Sequence, residues 1–142
     1  MKSVKVFSCA FIVLLVSVLL SSCTKDTSDT VSSTEQVLIK TPWSIDYYFD
    51  VQDLTGTYTH SRLLFSSTGA VGYQKSGKTV GGRWSRKVDA LNNELIDLQF
   101  NTIDTEVMQL NRTWKLTDQT ASSLQFEETD GAKTILFRLK VQ

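Results

Sequence analysis

The sequence predicts an all-β fold of about eight antiparallel strands in up-and-down order, closed into a barrel after a signal peptide and a flexible tether. Three observations carry this. From Thr41 onward apolar and polar residues alternate with period two, the period of a half-buried strand. Turn signals recur at short intervals: Thr55-Gly56, Thr68-Gly69, Ser76-Gly77, Asn92-Asn93, Asp118 to Ser122, and Asp130-Gly131. No window of a dozen residues in this region keeps the apolar stripe of a helix. At 142 residues and 15.9 kDa the chain has room for one domain, and 41% hydrophobic residues suffice for a core. Fifteen Lys and Arg balance fifteen Asp and Glu, which argues against a nucleic-acid binder.

Residues 1–22 read as a signal peptide and are set aside from the fold. Lys2 and Lys5 supply the positive start, and the 15-residue apolar stretch Val6 to Leu20 is shorter than the roughly 20 residues a spanning helix needs. It closes on Leu20-Ser21-Ser22-Cys23, which resembles the lipobox of bacterial lipoproteins. That resemblance implies a diacylglycerol on the Cys23 thiol, cleavage just before it, and usually acylation (palmitate) of the new amine. Two or three acyl chains anchor a protein stably where one does not. Cys9 is the one other cysteine and lies in the removed segment, so the mature domain has neither disulfide nor cysteine metal ligand. Loss of Lys2 and Lys5 leaves thirteen basic against fifteen acidic groups, and nothing in that balance draws the domain onto anionic lipid.

Residues 23–40 are expected to be a lipid-anchored flexible tether. Thr24 to Thr34 contain seven Ser or Thr and one large apolar side chain, too little to fold. Seventeen residues from Thr24 to Lys40 reach at most about 55–60 Å. In the lipoprotein resemblance, Thr24 after the cysteine fits transport to the outer membrane, and Asp26 and Asp29 resemble surface-export signals. The expected location is the outer membrane, with the leaflet open.

The domain is residues 41–142. Trp43, Ile45, Tyr47, Phe49 and Val51 alternate with Ser44, Asp46, Tyr48, Asp50 and Gln52 in its first strand. The alternation returns at Leu63/Phe65, Ile96/Leu98/Phe100, Leu110/Trp114/Leu116, Leu124/Phe126 and Ile135/Phe137/Leu139/Val141. Strand count alone does not separate a closed barrel from a two-sheet sandwich; the barrel is the expectation. A turn centred on Asp118 to Ser122 would pair Leu116 with Leu124, Trp114 with Phe126 and Arg112 with Glu128 on one inward face. Arg112 and Glu128 would then enter the barrel near one end as an opposed pair, either closing that end or orienting a ligand.

With these residues in view, the domain resembles the small lipocalin-like lipoproteins of Gram-negative bacteria. The resemblance rests on Thr41-Pro42-Trp43, Leu63 to Gly69, Gly81-Gly82-Arg83-Trp84, Trp114-Lys115-Leu116 and Phe137-Arg138-Leu139. Lipocalins carry a glycine two residues before the first Trp; here that position is Thr41, so the kinship implied is one of fold.

Gly72 to Thr79 satisfies G-x-x-x-x-G-K-[ST], the phosphate-cradling loop. That chemistry needs a helix directly after the loop, and Val80-Gly81-Gly82-Arg83-Trp84 disfavours one. A hairpin about Ser76-Gly77, pairing Lys75 with Lys78, Gln74 with Thr79 and Tyr73 with Val80, explains the same residues. No nucleotide is expected there. Catalytic sets are equally thin: His60 is the one histidine and reads as a surface strand residue, and Asp46, Asp50 and Asp53 read as solvated rather than as cation ligands. No enzyme activity, cofactor or metal is expected.

Of twelve aromatic residues in the mature chain, ten fall on faces expected to be buried: Trp43, Tyr47, Phe49, Phe65, Tyr73, Trp84, Phe100, Trp114, Phe126 and Phe137. An eight-stranded barrel is just wide enough to be filled by side chains or to hold one small ligand. If a cavity exists, Tyr47, Tyr73, Trp84, Arg112, Trp114 and Glu128 are the expected lining. Two functional readings follow: a module binding a small apolar or amphipathic ligand, or an accessory subunit of an outer-membrane protein complex with a filled barrel.

Overall fold

The computed structural model describes residues 33–142. Cys23, the signal peptide and the first part of the tether lie outside the described residues. Nine strands follow one another around a single antiparallel sheet: β1 (Trp43–Asp50), β2 (Gln52–Asp53), β3 (Arg62–Phe65), β4 (Ala70–Lys75), β5 (Lys78–Val88), β6 (Glu94–Phe100), β7 (Thr113–Gln119), β8 (Ser123–Asp130) and β9 (Lys133–Val141). β1 pairs with both β3 and β9, so eight strands close into a barrel and the two-residue β2 is an appendage on β1. Closure removes the free sheet edges that a sandwich would keep.

The β4–β5 hairpin has the expected register, with Lys75 opposite Lys78, Gln74 opposite Thr79 and Tyr73 opposite Val80. Ser76 (φ 50°) and Gly77 (φ 78°) are both left-handed, as a type I′ turn requires. The G-x-x-x-x-G-K-T segment is thus a strand, a tight turn and a strand, with no helix terminus. At the next crossing β6 lies so close to β5 that a Cβ on Gly82 would meet Gln99 O at 2.5 Å and Phe100 Cδ1 at 2.7 Å.

Two registers differ from expectation. A bulge between Ile45 and Tyr47 inserts Asp46 into β1, which turns Tyr48 inward (0% exposed) and leaves Tyr47 and Phe49 half-buried on the outer face. In the β7–β8 hairpin, Leu116 faces Phe126 and Gln119 faces Leu124, with an irregularity between Leu116 and Asp118. The pairings of Leu116 with Leu124 and of Trp114 with Phe126 are therefore not formed. The tip sits further along the chain, and the resulting slip of two residues preserves which side chains face in. Trp114 and Phe126 are both buried in the barrel.

Two short helices close the barrel. α1 (Thr34–Leu38) lies in the stretch expected to be tether, and Ser33 caps it by accepting from the Gln36 N–H at 3.3 Å. Its Leu38 is fully buried, and the Leu38 carbonyl accepts from Trp43 Nε1 at 2.9 Å. The Thr34 hydroxyl donates to the Glu94 carboxylate and lies 2.8 Å from Gln119 Oε1, fastening α1 to β6 and β7. α2 (Thr105–Met108), between β6 and β7, sits at the opposite end and buries Val107.

The barrel axis is filled with rings. Trp114 packs on Phe137 at 4.9 Å between centroids, Phe137 on Phe126 at 5.6 Å, and Tyr48 on Tyr58 at 4.9 Å and Trp114 at 6.1 Å. With Trp43 and the surrounding Leu and Ile side chains these form one cluster. Burial of each large side chain is worth about 1.5–3 kcal/mol, so this cluster dominates the stability of the domain.

Candidate functional site

Polar groups gather where α2 crosses the mouth of the barrel. Asp104 caps α2 by accepting from the Glu106 N–H at 3.0 Å, which sets Glu106 and Gln109 over the opening. Three tyrosines answer, two from strands β1 and β4 and one from the 3-10 turn Thr55–Tyr58. Tyr48 donates to the Gln109 carbonyl at 3.1 Å, Tyr58 lies 3.0 Å from both the Glu106 carbonyl and Gln109 Oε1, and Tyr73 donates to the Glu106 carboxylate. Lys75 closes the set, with Nζ 2.8 Å from Glu106 Oε2 and also bound to the Thr57 carbonyl.

On the facing side, Arg112 and Glu128 meet as the sequence requires, Nη1 to Oε2 at 2.8 Å, with side chains 22% and 23% exposed. Arg112 also donates from Nε to the Gln109 carbonyl at 3.1 Å, and its Nη2 is 3.5 Å from Asp50 Oδ2. The guanidinium thus joins α2 to β1 and β8, donating hydrogen bonds from Nε and Nη1 and pairing with Asp50 through Nη2.

These surroundings fix the protonation of the network. Burial pushes the Tyr48 hydroxyl above the ordinary phenol range, although Arg112 pulls the other way. Burial, then Tyr48 and Glu106, push Tyr58 far higher. Burial and the bond to Glu106 do the same for Tyr73. All three remain neutral donors. For Arg112, burial opposes the charge but Tyr48 and Glu128 outweigh it, and the guanidinium is held more firmly charged than usual. At the α1 end, Arg86 holds the Glu94 carboxyl below its usual range against the opposing effect of burial.

The expected lining residues fall into three groups. Tyr73, Arg112 and Glu128 meet at the α2 mouth. Trp84 and Trp114 point inward but are spent on packing: Trp84 Nε1 donates to the Ser66 carbonyl at 2.9 Å with its ring edge-on to Phe65, and Trp114 Nε1 donates to the Leu110 carbonyl at 3.1 Å. Tyr47 lies on the outer face beneath Arg138, 5.6 Å from guanidinium carbon to ring centroid, so the bulge at Asp46 removes it from any lining. Sequence reasoning missed Tyr48, Tyr58, Glu106 and Gln109. For α2 a signal was present: Asp104 as cap, followed by Val107 and Leu110 at helical spacing.

Clefts of 220, 360, 430 and 630 Å³ open among the described residues; Trp43, Tyr48, Trp114 and Phe137 line none of these, whereas Trp84 lines the one of 430 Å³. The one at the α2 mouth holds 220 Å³ between Tyr73, Val80, Asp104 and Glu106, with Lys75, Ser76 and Lys78 at its rim. His60 is exposed and lies in a turn before β3 rather than in a strand, at φ 62°. Asp46 pairs with Arg138 at 2.7 Å, and Asp53 accepts from the Thr55 N–H at 2.8 Å, so the three aspartates do not converge.

No protein-family model matches this chain, and no curated protein matches its sequence. Among solved structures it is similar to the crystal structure of a DUF4847 family protein from Bacteroides vulgatus, with a TM-score of 0.53 and 12% identity, over 75% of this chain and 95% of that one. That likeness supports the barrel fold.

Proposed function

We propose that this chain is a non-catalytic envelope lipoprotein, anchored through acyl groups on Cys23, whose barrel serves as an interaction module of an outer-membrane assembly. The observation that carries this reading is the filled axis: Trp43, Tyr48, Tyr58, Trp114 and Phe137 are each no more than 2% exposed. A small-molecule site ordinarily offers about 300–1,000 Å³. The mouth cleft holds 220 Å³, and the larger clefts are open surface grooves. The polar network at the mouth favours the same reading, since the Glu106 carboxylate is engaged by Tyr73 and Lys75, and Arg112 by Glu128 and the Gln109 carbonyl. The surface offers apolar side chains at the α2 end, Ile103 (96% exposed), Val51 (67%) and Met108 (48%), besides Leu91 and Val88 about the β5–β6 turn.

A second reading retains a ligand at the mouth, where Tyr73 and Val80 could receive a small amphipathic group beside the Lys75–Glu106 pair. One experiment separates the two. A photo-crosslinker at position 103 in the acylated protein, used in native membranes, is expected to capture one defined protein partner that is lost on Met108→Glu. Small molecules are extracted from the same sample; a stoichiometric apolar compound recovered without a crosslinked partner would reverse the preference.

A further inference from the structure

The turn between β4 and β5 and the turn leading into β3 enclose a second cleft, 360 Å³ in volume. It is lined by His60, Arg62, Lys75 and Lys78 together with Gln74 and Thr79, and no carboxylate lines it. Lys75 is already engaged by Glu106. Arg62 and Lys78 have no carboxylate within ion-pair distance among the described residues. A chain that is neutral in sum therefore holds two cations without a direct ion pair, Arg62 and Lys78, at one concave place, although Lys78 also borders the mouth cleft that contains Asp104 and Glu106.

Arg62, Gln74 and Thr79 stand in one row across β3, β4 and β5, and the next row, Lys75 opposite Lys78, springs from the other face and borders the turn, so the two rows reach the cleft from either side of the hairpin end. The ladder runs through Lys75 and Lys78, which leaves the Ser76 and Gly77 N–H groups at the turn outside it. The lining includes no apolar side chain, so recognition rests on charge and hydrogen bonds rather than on a ring or an acyl chain.

We propose that this cleft binds a multiply charged oxyanion of the phosphate or sulfate class, held by Arg62 and Lys78 and completed by donors of the β4–β5 turn. The site is independent of the interaction surface at Ile103 and Met108. Its source is either a free anion or the headgroup of an anionic lipid, and two probes distinguish these: inorganic pyrophosphate, and phosphatidylglycerol vesicles compared with phosphatidylcholine vesicles. Both are titrated into the full mature chain carrying Cys23→Ala, so that no acyl group contacts the vesicle, with amide shifts as the readout. Pyrophosphate, phosphatidylglycerol, or both should saturate shifts at Arg62 and at Gln74 to Thr79. Affinity should fall by about tenfold or more in Arg62→Ala/Lys78→Ala and stay unchanged in Lys133→Ala/Lys140→Ala, a control of equal charge loss. Binding of pyrophosphate alone assigns a free anion, and binding of the vesicles alone assigns a headgroup. Saturation by neither probe, or equal losses in the two double variants, would overturn the proposal. Both variants change exposed side chains, and unchanged amide spectra without probe establish that they fold.

Discussion

Adjacent glycines in β5 offer an internally controlled test of the barrel packing. At Gly82 an added Cβ meets Gln99 O at 2.5 Å, Phe100 Cδ1 at 2.7 Å and Phe100 Cα at 3.1 Å, whereas at Gly81 it meets nothing within 4 Å. Two of the three clashing atoms belong to the β6 backbone, so a rotamer change cannot relieve them and the strands must part where Gly82 faces Phe100. Overpacking of this kind costs about 2–4 kcal/mol, which for a domain of this size lowers the melting temperature by about 8–16 °C. Gly81→Ala has room and restricts the unfolded chain, so its effect should stay within about 0.5 kcal/mol of neutral. Urea melts followed by tryptophan fluorescence measure both, with unchanged m-values showing that the same surface unfolds. Equal stabilities for Gly81→Ala and Gly82→Ala would refute the close approach of β6 to β5 and the register that produces it.

Cys23→Ala should abolish incorporation of labelled fatty acid; continued labelling would remove the lipid anchor assigned from Leu20 to Cys23. A double-mutant cycle on Arg112→Met and Glu128→Gln should give a coupling of about 1–2 kcal/mol, the partial exposure of both side chains keeping it below that of a fully buried pair. A coupling near zero would show that the pair does not fasten the barrel end. Tyr48, Tyr58 and Tyr73 are all raised above 10.0 in the folded state. The fold therefore keeps protons that the unfolded chain releases, and their contribution to stability is complete below about pH 10 and lost as pH rises beyond it. Urea melts across that range should show the decline, smaller in Tyr58→Phe; a stability flat to higher pH would contradict the buried network.

The strand pattern and the β4–β5 turn were legible because both depend on local chemistry: period two for the strands, and a serine-glycine pair that accepts left-handed angles. The bulge at Asp46 was not, since neither Tyr47 nor Tyr48 differs in type and only pairing with β9 selects the one that enters the core. The same blindness exchanged Tyr47 and Phe49 for Tyr48 among the buried aromatics, while Tyr58 enters separately from the 3-10 turn Thr55–Tyr58. α1 was hidden by its polar composition, although Ser33 and Gln36 carry the spacing of a capping box and Leu38 supplies the anchor. Arg112 and Glu128 were placed correctly despite a displaced hairpin tip, because before the irregularity at Leu116 to Asp118 the slip is of two residues and leaves side chains on their faces. Glu106 and Gln109 act through carbonyls and hydroxyls from strands 30 to 60 residues away, a convergence that only closure of the barrel creates.

Native mass spectrometry of the mature protein, released gently from its own membrane, tests the filled barrel most directly. The expected mass is that of the chain from Cys23 with its acyl groups and nothing further. A stoichiometric apolar compound retained within the fold, and lost when Trp114 is replaced, would contradict it.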